Sequence, residues 1–395
     1  MTNKPPFAGE KVRLGDLGKT ICGGTPSSKH PEFFAGSIPW IGTTALNGGK
    51  LDKADAVKLI TREAVEKSAT KIIPPNSIMV GIRVGVGKVA INSVPMCTSQ
   101  DIVSVVSIDE AEWCKEYISM VLQYKAPVLA AQAQGATITG ISSKTLKSIT
   151  IPVAPLETQR RIVEELRAIE AQKVAANSIL KSFSALVKSR FVEMFGDPAA
   201  SPKFETCRVE DIADVFVGVV VKPKQYYADD SKNAVKAFRS LNVGEMHIRD
   251  NDWVYFTQEG NQAASKSILK SGDILIVRSG YPGTSCVVSS EYEGCNAIDL
   301  IIARIKDDGV LPEFLAAFNN STRMKDLIER MSVGSAQKHF NVGFYKQVEI
   351  PLPPIEIQRE YLAFQHRVDK SRVVVQKQIE RLQTLYDSLA QEYFG

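Results

Sequence analysis

Two stretches of this chain carry apolar residues at alternating steps of three and four, and neither stretch holds a proline or a glycine: Leu156 to Phe195 and Ile355 to Phe394. That spacing puts one apolar seam along a helix and predicts two rods, each about 60 Å long at roughly 1.5 Å per residue. The first seam has the columns Ile162, Ile169, Ala176, Phe183, Arg190 and Leu166, Lys173, Leu180, Val187, Met194. The second has Tyr361, Val368, Val375, Leu382, Leu389 and Gln365, Arg372, Ile379, Tyr386, Tyr393. Such a heptad pattern is that of a coiled coil. Lys173 and Arg372 interrupt the seams at equivalent places. A basic residue there either fixes register or lays its stem along the seam and turns its charge to water.

Elsewhere the pattern changes to short β-rich runs bounded by Gly, Pro and Asn: Ser77 to Ile82, Asp101 to Val106, Asp273 to Val277 and Leu300 to Ile305. These predict strands. Glu112 to Leu129 and Pro312 to Met331 read as helices. The regions 1–155 and 197–354 are therefore mixed α/β, and each is followed by a rod, at 156–196 and 355–395.

The two halves are copies. Ile151-Pro-Val-Ala-Pro-Leu-Glu-Thr-Gln-Arg160 recurs as Ile350-Pro-Leu-Pro-Pro-Ile-Glu-Ile-Gln-Arg359, and the offset of 199 holds without a gap from Gly135/Gly334 to Gly196/Gly395. The prolines cannot sit inside a helix and mark an extended lead into each rod. The beginnings match more loosely at an offset of 195: Val12-Arg-Leu-Gly-Asp-Leu17 with Cys207-Arg-Val-Glu-Asp-Ile212, Gly23 with Gly218, and Ile82-Arg-Val-Gly85 with Val277-Arg-Ser-Gly280. This alignment pairs Arg83 with Arg278.

Composition adds little beyond an ordinary globular protein: 395 residues, 44% hydrophobic, 23% charged, net charge +4. The distribution says more. Region 1–155 has 17 basic against 12 acidic residues, and region 197–354 has 18 against 21. Contact of the second region with a polyanion has to use a local basic patch. The six cysteines are scattered with no zinc-site spacing, which suits thiols in a reducing cytoplasm. No secretory leader or membrane-length apolar run is visible, so a cytoplasmic location is expected.

Candidate chemistry thins out on inspection. Gly85-Val-Gly-Lys-Val-Ala90 fits G-x-G-x-x-A, but a dinucleotide site needs a helix to start there and the following Ala90 to Pro95 reads as extended. The four histidines form no metal motif, and no metal is expected. No methyltransferase, nuclease or nucleophile-elbow signature is present. The Gly23-Gly-Thr-Pro-Ser-Ser-Lys29 loop is either a phosphate-approaching turn or an ordinary one. The pattern favours a binding subunit over an enzyme. The competing readings are a fused or stand-alone DNA-modifying enzyme and a coiled-coil interaction scaffold.

The duplicated I-P-x-x-P-x-E-x-Q-R segments, the long helices behind them and the Gly-Gly-Thr-Pro-Ser loop resemble the DNA-specificity subunit of type I restriction–modification systems, over essentially the whole chain. The second half lacks the Gly-Gly-Thr-Pro-Ser opening and has Gly218-Val-Val-Val-Lys222 instead. The resemblance implies an α+β chain: two target-recognition domains separated by two long antiparallel coiled-coil helices, with an internal pseudo-two-fold repeat. It implies that double-stranded DNA, two methyltransferase subunits and restriction/translocase subunits are partners, with no membrane partner. S-adenosylmethionine, ATP and Mg would be bound by those partners and no cofactor by this chain. The DNA contacts expected from basic residues in loops are Lys29, Arg83, Lys88 and Lys144 in the first domain. In the second they are Lys222, Lys224, Arg239, Arg278 and Lys338. A solvated charge or an ion pair within the domain is the competing role for each. Spacer and subunit docking are expected from Leu166, Lys173, Leu180, Phe183, Arg372, Ile379, Leu382 and Tyr386.

Overall fold

The computed structural model describes residues 10–133, 140–197, 201–220, 224–228, 234–331 and 340–395. The chain forms two compact units. Unit 1 is Met1–Asn177 with Lys377–Gly395, and unit 2 is Ser178–Gln376. The division falls inside both rods, which run as continuous helices over Leu156–Phe195 and Ile355–Phe394.

In unit 1 a five-stranded sheet runs in the order Lys19–Cys22, Ile102–Val106, Ile78–Gly81, Val89–Asn92, Lys50–Leu51. Every strand residue from Ile78 to Gly81 and from Ile102 to Val106 is buried, as a strand covered on both faces requires. A second sheet orders Lys58–Ile60, Ile38–Ile41, Met96–Thr98 and Ile72–Ile73. Unit 2 repeats the first sheet with Ala213–Val217, Leu300–Ile305, Ile274–Val277 and Ser285–Val287. Its second sheet orders Tyr227–Ala228, Val254–Phe256, Val235–Phe238 and Asn296–Ala297. The helix expected over Glu112 to Leu129 is two, Lys115–Tyr124 and Ala126–Ala131, because Pro127 can only sit in a first turn. Pro312 to Met331 likewise divides into Pro312–Asn319 and Thr322–Met331.

The repeated sequence motifs are the closures of the two units. Val12 pairs with Ile151 and Cys207 with Ile350, so the start of each copy forms an antiparallel ladder with the I-P segment at its end. The repeated glutamine then ties each rod to its globular part. The Gln159 carboxamide accepts from the Cys114 N–H at 2.8 Å and donates to the Glu112 and Ala154 carbonyls. Gln358 accepts from Leu311 N–H at 2.9 Å and donates to Gly309 and Pro353. Both glutamines are fully buried, and each satisfies backbone groups that nothing else would reach.

The rod ends are core. Ile162, Val163, Leu166, Ala390 and Phe394 belong to the main core of unit 1, where Phe394 packs edge-on to Tyr117 at 5.7 Å. Phe191, Phe195 and Tyr361 take the same place in unit 2, with Phe195 5.1 Å from Phe314. In each unit the two helices pair antiparallel. Lys173 donates to Gln383 and Tyr393 donates to Glu165 at 2.9 Å in unit 1. Arg190 donates to Glu360 at 3.0 Å and Arg372 to Ser184 at 3.1 Å in unit 2. None of the seam positions read from the sequence is exposed.

Candidate nucleic-acid interface and rod surface

Strands Ile78–Gly81 and Val89–Asn92 are joined by a tight turn. Gly81 N–H donates to the Lys88 carbonyl at 2.8 Å, Gly87 N–H to Gly81 at 2.9 Å and Lys88 N–H to Gly85 at 3.1 Å. The turn is left-handed at Val84, Gly85 and Gly87, with φ of 42°, 102° and 82°. Gly87 has to be glycine twice over, since a Cβ there would stand 2.5 Å from that of Ala126. Val84 is different. The left-handed region costs an L residue about 1–2 kcal/mol and is a true outlier for a β-branched one. Its side chain is 60% exposed. Arg83 and Lys88 are exposed beside it, without an ion pair among the described residues. The bridge between Arg83 and Gly140 brings the segment leading to Lys144 alongside the turn.

Unit 2 has the same turn between Ile274–Val277 and Ser285–Val287. Val277 N–H donates to Thr284 at 2.9 Å, Gly283 to Val277 at 3.0 Å and Thr284 to Tyr281 at 3.2 Å. These are the three bonds of unit 1 at an offset of 196, not 195. Two further observations agree. Ile141 N–H donates to Ile82 and Phe340 N–H to Arg278, and Val84 in its left-handed conformation answers Gly280, φ 87°; at the next pair the turns part, Gly85 being left-handed at 102° and Tyr281 not. The sequence match of Arg83 with Arg278 is therefore corrected by one residue: Arg278 stands where unit 1 has Ile82, and Arg83 stands where unit 2 has Ser279. A one-residue slip reverses the side to which a strand-end residue points. Ile82 is 6% exposed and Arg278 turns inward at 17%. The Arg278 guanidinium is ion-paired with Asp299, and its Nε donates to Phe340 O at 3.4 Å.

The remaining candidates separate by environment. Lys29 and Lys144 are exposed, the latter on a short helix capped by Ser142. Lys224 is exposed. Arg239 is engaged, with its guanidinium 3.3 Å from the Asp252 carboxylate and donating to that residue's carbonyl. Lys222 and Lys338 lie outside the described residues. The Gly23-Gly24 pair serves packing: a Cβ on Gly23 would lie 2.1 Å from Ser99 O, and one on Gly24 2.5 Å from the Thr70 backbone. Trp40, half-buried, donates to Gly24 O at 3.0 Å, and Thr25 donates to Gln100. The loop is held by its own chain. The G-x-G-x-x-A segment runs into strand Val89–Asn92, which removes the helix a dinucleotide site requires.

One cluster has no signature in the sequence. Lys236 Nζ lies 2.8 Å from Asp250 and 4.6 Å above the Trp253 ring, while Trp253 Nε1 donates to Asp250 at 2.6 Å. The hydrogen bond from Lys236, together with that from Trp253, holds the Asp250 carboxyl below the usual carboxylate range. Asp250 and Trp253 share one loop, but Lys236 comes from strand Val235–Phe238, so no local spacing announces the cluster. Among the described residues no group of three or more His, Cys, Asp or Glu is placed to hold a metal ion, and no helix is long and apolar enough to cross a membrane. Burial pushes the Cys286 thiol up to about 12, which leaves it protonated and inert at neutral pH.

The rods place Leu166 and Leu382 fully in the seam, with Lys173, Leu180, Phe183, Arg372, Ile379 and Tyr386 half-buried along it. Lys173 reaches Gln383 across the seam and lies 5.6 Å from the Tyr386 ring; Arg372 reaches Ser184 and Asp369. Lys173 and Arg372 thus bridge helix to helix, and Leu166 packs in the core of unit 1 with Ala390 and Phe394 of the other rod. The apolar side chains that the rods leave exposed are others, and four of them form identical pairs 199 apart: Val174 with Val373, and Leu186 with Leu385.

Comparison with known proteins follows the same duplication. The chain resembles the EcoR124I/EcoR124II specificity subunit of Escherichia coli, a type I restriction enzyme, at 38% identity over 159 residues, 39% of each chain. It resembles the MjaIX specificity subunit of Methanocaldococcus jannaschii at 26% over 250 residues, 58% of this chain and 57% of that protein. The MjaVIII specificity subunit of the same organism matches at 21% over 392 residues, 95% of this chain and 89% of that one. The chain thus spans less than two thirds of the first two relatives and most of the third. Among solved structures, one describing complex assembly and conformational transition of the type I R-M system shares the fold at a TM-score of 0.69 and 17% identity, over 98% of this chain and 97% of that one. The S subunit from M. genitalium shares it at 0.53 and 15%, over 100% and 98%. The type I restriction modification DNA specificity domain matches twice, at residues 9–181 and 202–384, once for each half described above, and the protein belongs to that family.

Proposed function

We propose that this chain reads a two-part DNA site for a type I restriction–modification complex and carries no catalysis of its own. Each globular unit reads one half-site, and the paired rods hold the two readings at a fixed separation. The observation that carries this is the duplication of one turn. Both units build it with the same three backbone hydrogen bonds, followed by rods of 40 residues each. Equal rods keep the gap constant while the globular parts are free to diverge.

The exposed basic residues Lys29, Arg83, Lys88, Lys144 and Lys224 are the DNA contacts favoured by this reading, to phosphates and base edges. Lys222 and Lys338 are retained from the sequence. Arg239 and Arg278 contact DNA only by giving up their carboxylate partners. Two methyltransferase subunits dock on the outer faces of the rods, on the surfaces around Val174, Val373, Leu186 and Leu385. The seam residues set the spacer beneath them. The repetition of identical exposed side chains supports two copies of one partner. S-adenosylmethionine belongs to those subunits, and ATP and Mg to the restriction/translocase subunits.

The test is methylation-aware sequencing of DNA from cells carrying this chain with its methyltransferase partner. One bipartite motif with modified adenine and a constant gap is expected. A contiguous motif, or methylation without sequence preference, contradicts the reading. Binding by the purified complex should weaken steeply with salt, as counterion release demands.

A further inference from the structure

We propose that Val84 is a specificity-determining residue of the first unit, and that it reads the C5 methyl group of a thymine in the major groove. The proposal rests on the DNA-reading function above and assigns one base contact within it.

The internal repeat supplies the control. Val84 and Gly280 answer each other through three matching backbone hydrogen bonds and both have positive φ, at 42° and 87°, although the turns part at the next residue, where Gly85 is at φ 102° and Tyr281 is not left-handed. Gly280 shows what the turn itself needs: a residue free to adopt positive φ. Valine meets that need badly, because its branched Cβ is set against the backbone there. Its side chain is 60% exposed and is not part of any hydrophobic core cluster. A Cβ built on Gly280 has no atom of the described residues within 4 Å, so in the second copy too the position is open. A residue that strains the turn, stays 60% exposed, belongs to no hydrophobic core among the described residues and is answered by glycine in the other copy points to a contribution from outside the chain.

The surroundings identify that something. Arg83 precedes Val84, Lys88 closes the turn, and both are exposed. A basic tip attracts the phosphate backbone. An isopropyl group at its apex has no donor or acceptor to offer a base edge. The apolar group that duplex DNA presents in the major groove is the thymine methyl. An apolar contact flanked by Arg and Lys is the combination that tells thymine from cytosine at one position while the cations hold the register.

The experiment uses the full chain assembled with its partner subunits and the DNA motif that assembly methylates. Each thymine of the half-sites is replaced in turn by deoxyuridine, which removes the methyl and nothing else. Wild type, Val84→Gly and Val84→Asn are compared for binding and methylation rate. Glycine removes the strain; asparagine keeps a side chain of similar size that tolerates the left-handed region. For wild type, one replacement, confined to one half-site, is expected to weaken binding about four-fold, the factor for one buried methyl-sized group. Both variants should show that loss on unmodified DNA and no further loss at the deoxyuridine position. The melting temperature of Val84→Gly should hold or rise by about 2–4 °C, since strain is relieved.

Three results overturn the assignment: variants that bind like wild type, variants that lose binding while no deoxyuridine matters, or Val84→Gly melting well below wild type. Loss of partner assembly with DNA affinity retained would place Val84 in a protein contact and also overturn it. Failure of the parent reading looks different: the wild-type complex would then methylate without sequence preference, whatever stands at position 84.

Discussion

The turn of unit 1 and the turn of unit 2 share three backbone hydrogen bonds and differ in what they present. In the first, Ile82 is core and Arg83 is exposed, without an ion pair among the described residues; in the second, Arg278 at the first of these positions is tied to Asp299 and Ser279 follows. Val84 projects from the first tip, whereas the second has Gly280 followed by the exposed Tyr281. The scaffold is therefore common property and the reading surface is not. Two units with one fold can read different sequences because the hydrogen bonds that set the length of the turn are backbone to backbone and do not dictate which side chains it carries.

The largest effects should come from breaking what the units share. Phe195→Ala and Phe394→Ala remove equivalent ring anchors, each fully buried, and each is expected to cost about 3–5 kcal/mol. The account requires the damage to be separate. Phe394, the penultimate residue, should loosen unit 1, and Phe195 should loosen unit 2, as followed by hydrogen exchange of strands Ile102–Val106 and Leu300–Ile305. Equal loosening of both units by either change contradicts the interleaved arrangement. Removing residues 355–395 takes Gln358 and Tyr361 from unit 2 as well as Phe394 from unit 1, so neither globular part should stay folded.

Next come the glutamine ties. Gln159→Leu and Gln358→Leu leave the N–H of Cys114 or Leu311 without its acceptor, at about 1–3 kcal/mol each by chemical denaturation. Similar values in both halves would show that the motif works the same way twice.

The arginines then separate the copies. Arg83→Met should leave stability within about 0.5 kcal/mol and cost about 1–3 kcal/mol of DNA binding. Arg278→Met should do the reverse, because Asp299 loses a partly buried partner. Matching phenotypes would restore the simple alignment of Arg83 with Arg278. Smallest on the fold are Val174→Ser and Val373→Ser, which should shift stability by less than about 0.5 kcal/mol. Each should weaken one of the two methyltransferase copies, read by the mass of the assembled complex.

Much of this was legible in the residues. The seams were, because helical periodicity extends over five heptads and tolerates single exceptions such as Lys173. The duplicated I-P segments were, because rods tied down in the same way keep the same residues. What Gln159 and Gln358 do was not: each ties a near carbonyl, Ala154 or Pro353, to groups of a distant loop, Glu112 and Cys114 or Gly309 and Leu311, and only the folded backbone shows which groups needed satisfying. The register of the turn was not legible either. Arg followed two residues later by Gly is too short a match to fix a strand end. The extra residues of the second half enter in steps, as offsets of 195 at Gly23/Gly218, 196 in the turn and 198 at Ile102/Leu300 show. A shift of one is invisible in letters and reverses a side chain in space. The Gly23 loop taught the opposite lesson: its glycines admit the protein's own backbone and not a ligand's.

The central claim is that each unit reads its own half of one site across a fixed gap. Methylation-aware sequencing of wild type against Arg83→Met tests it most directly. The account predicts a bipartite motif in which the substitution relaxes bases in one half only, leaving the other half and the gap unchanged. Relaxation spread over both halves, or a gap that changes length, would contradict it.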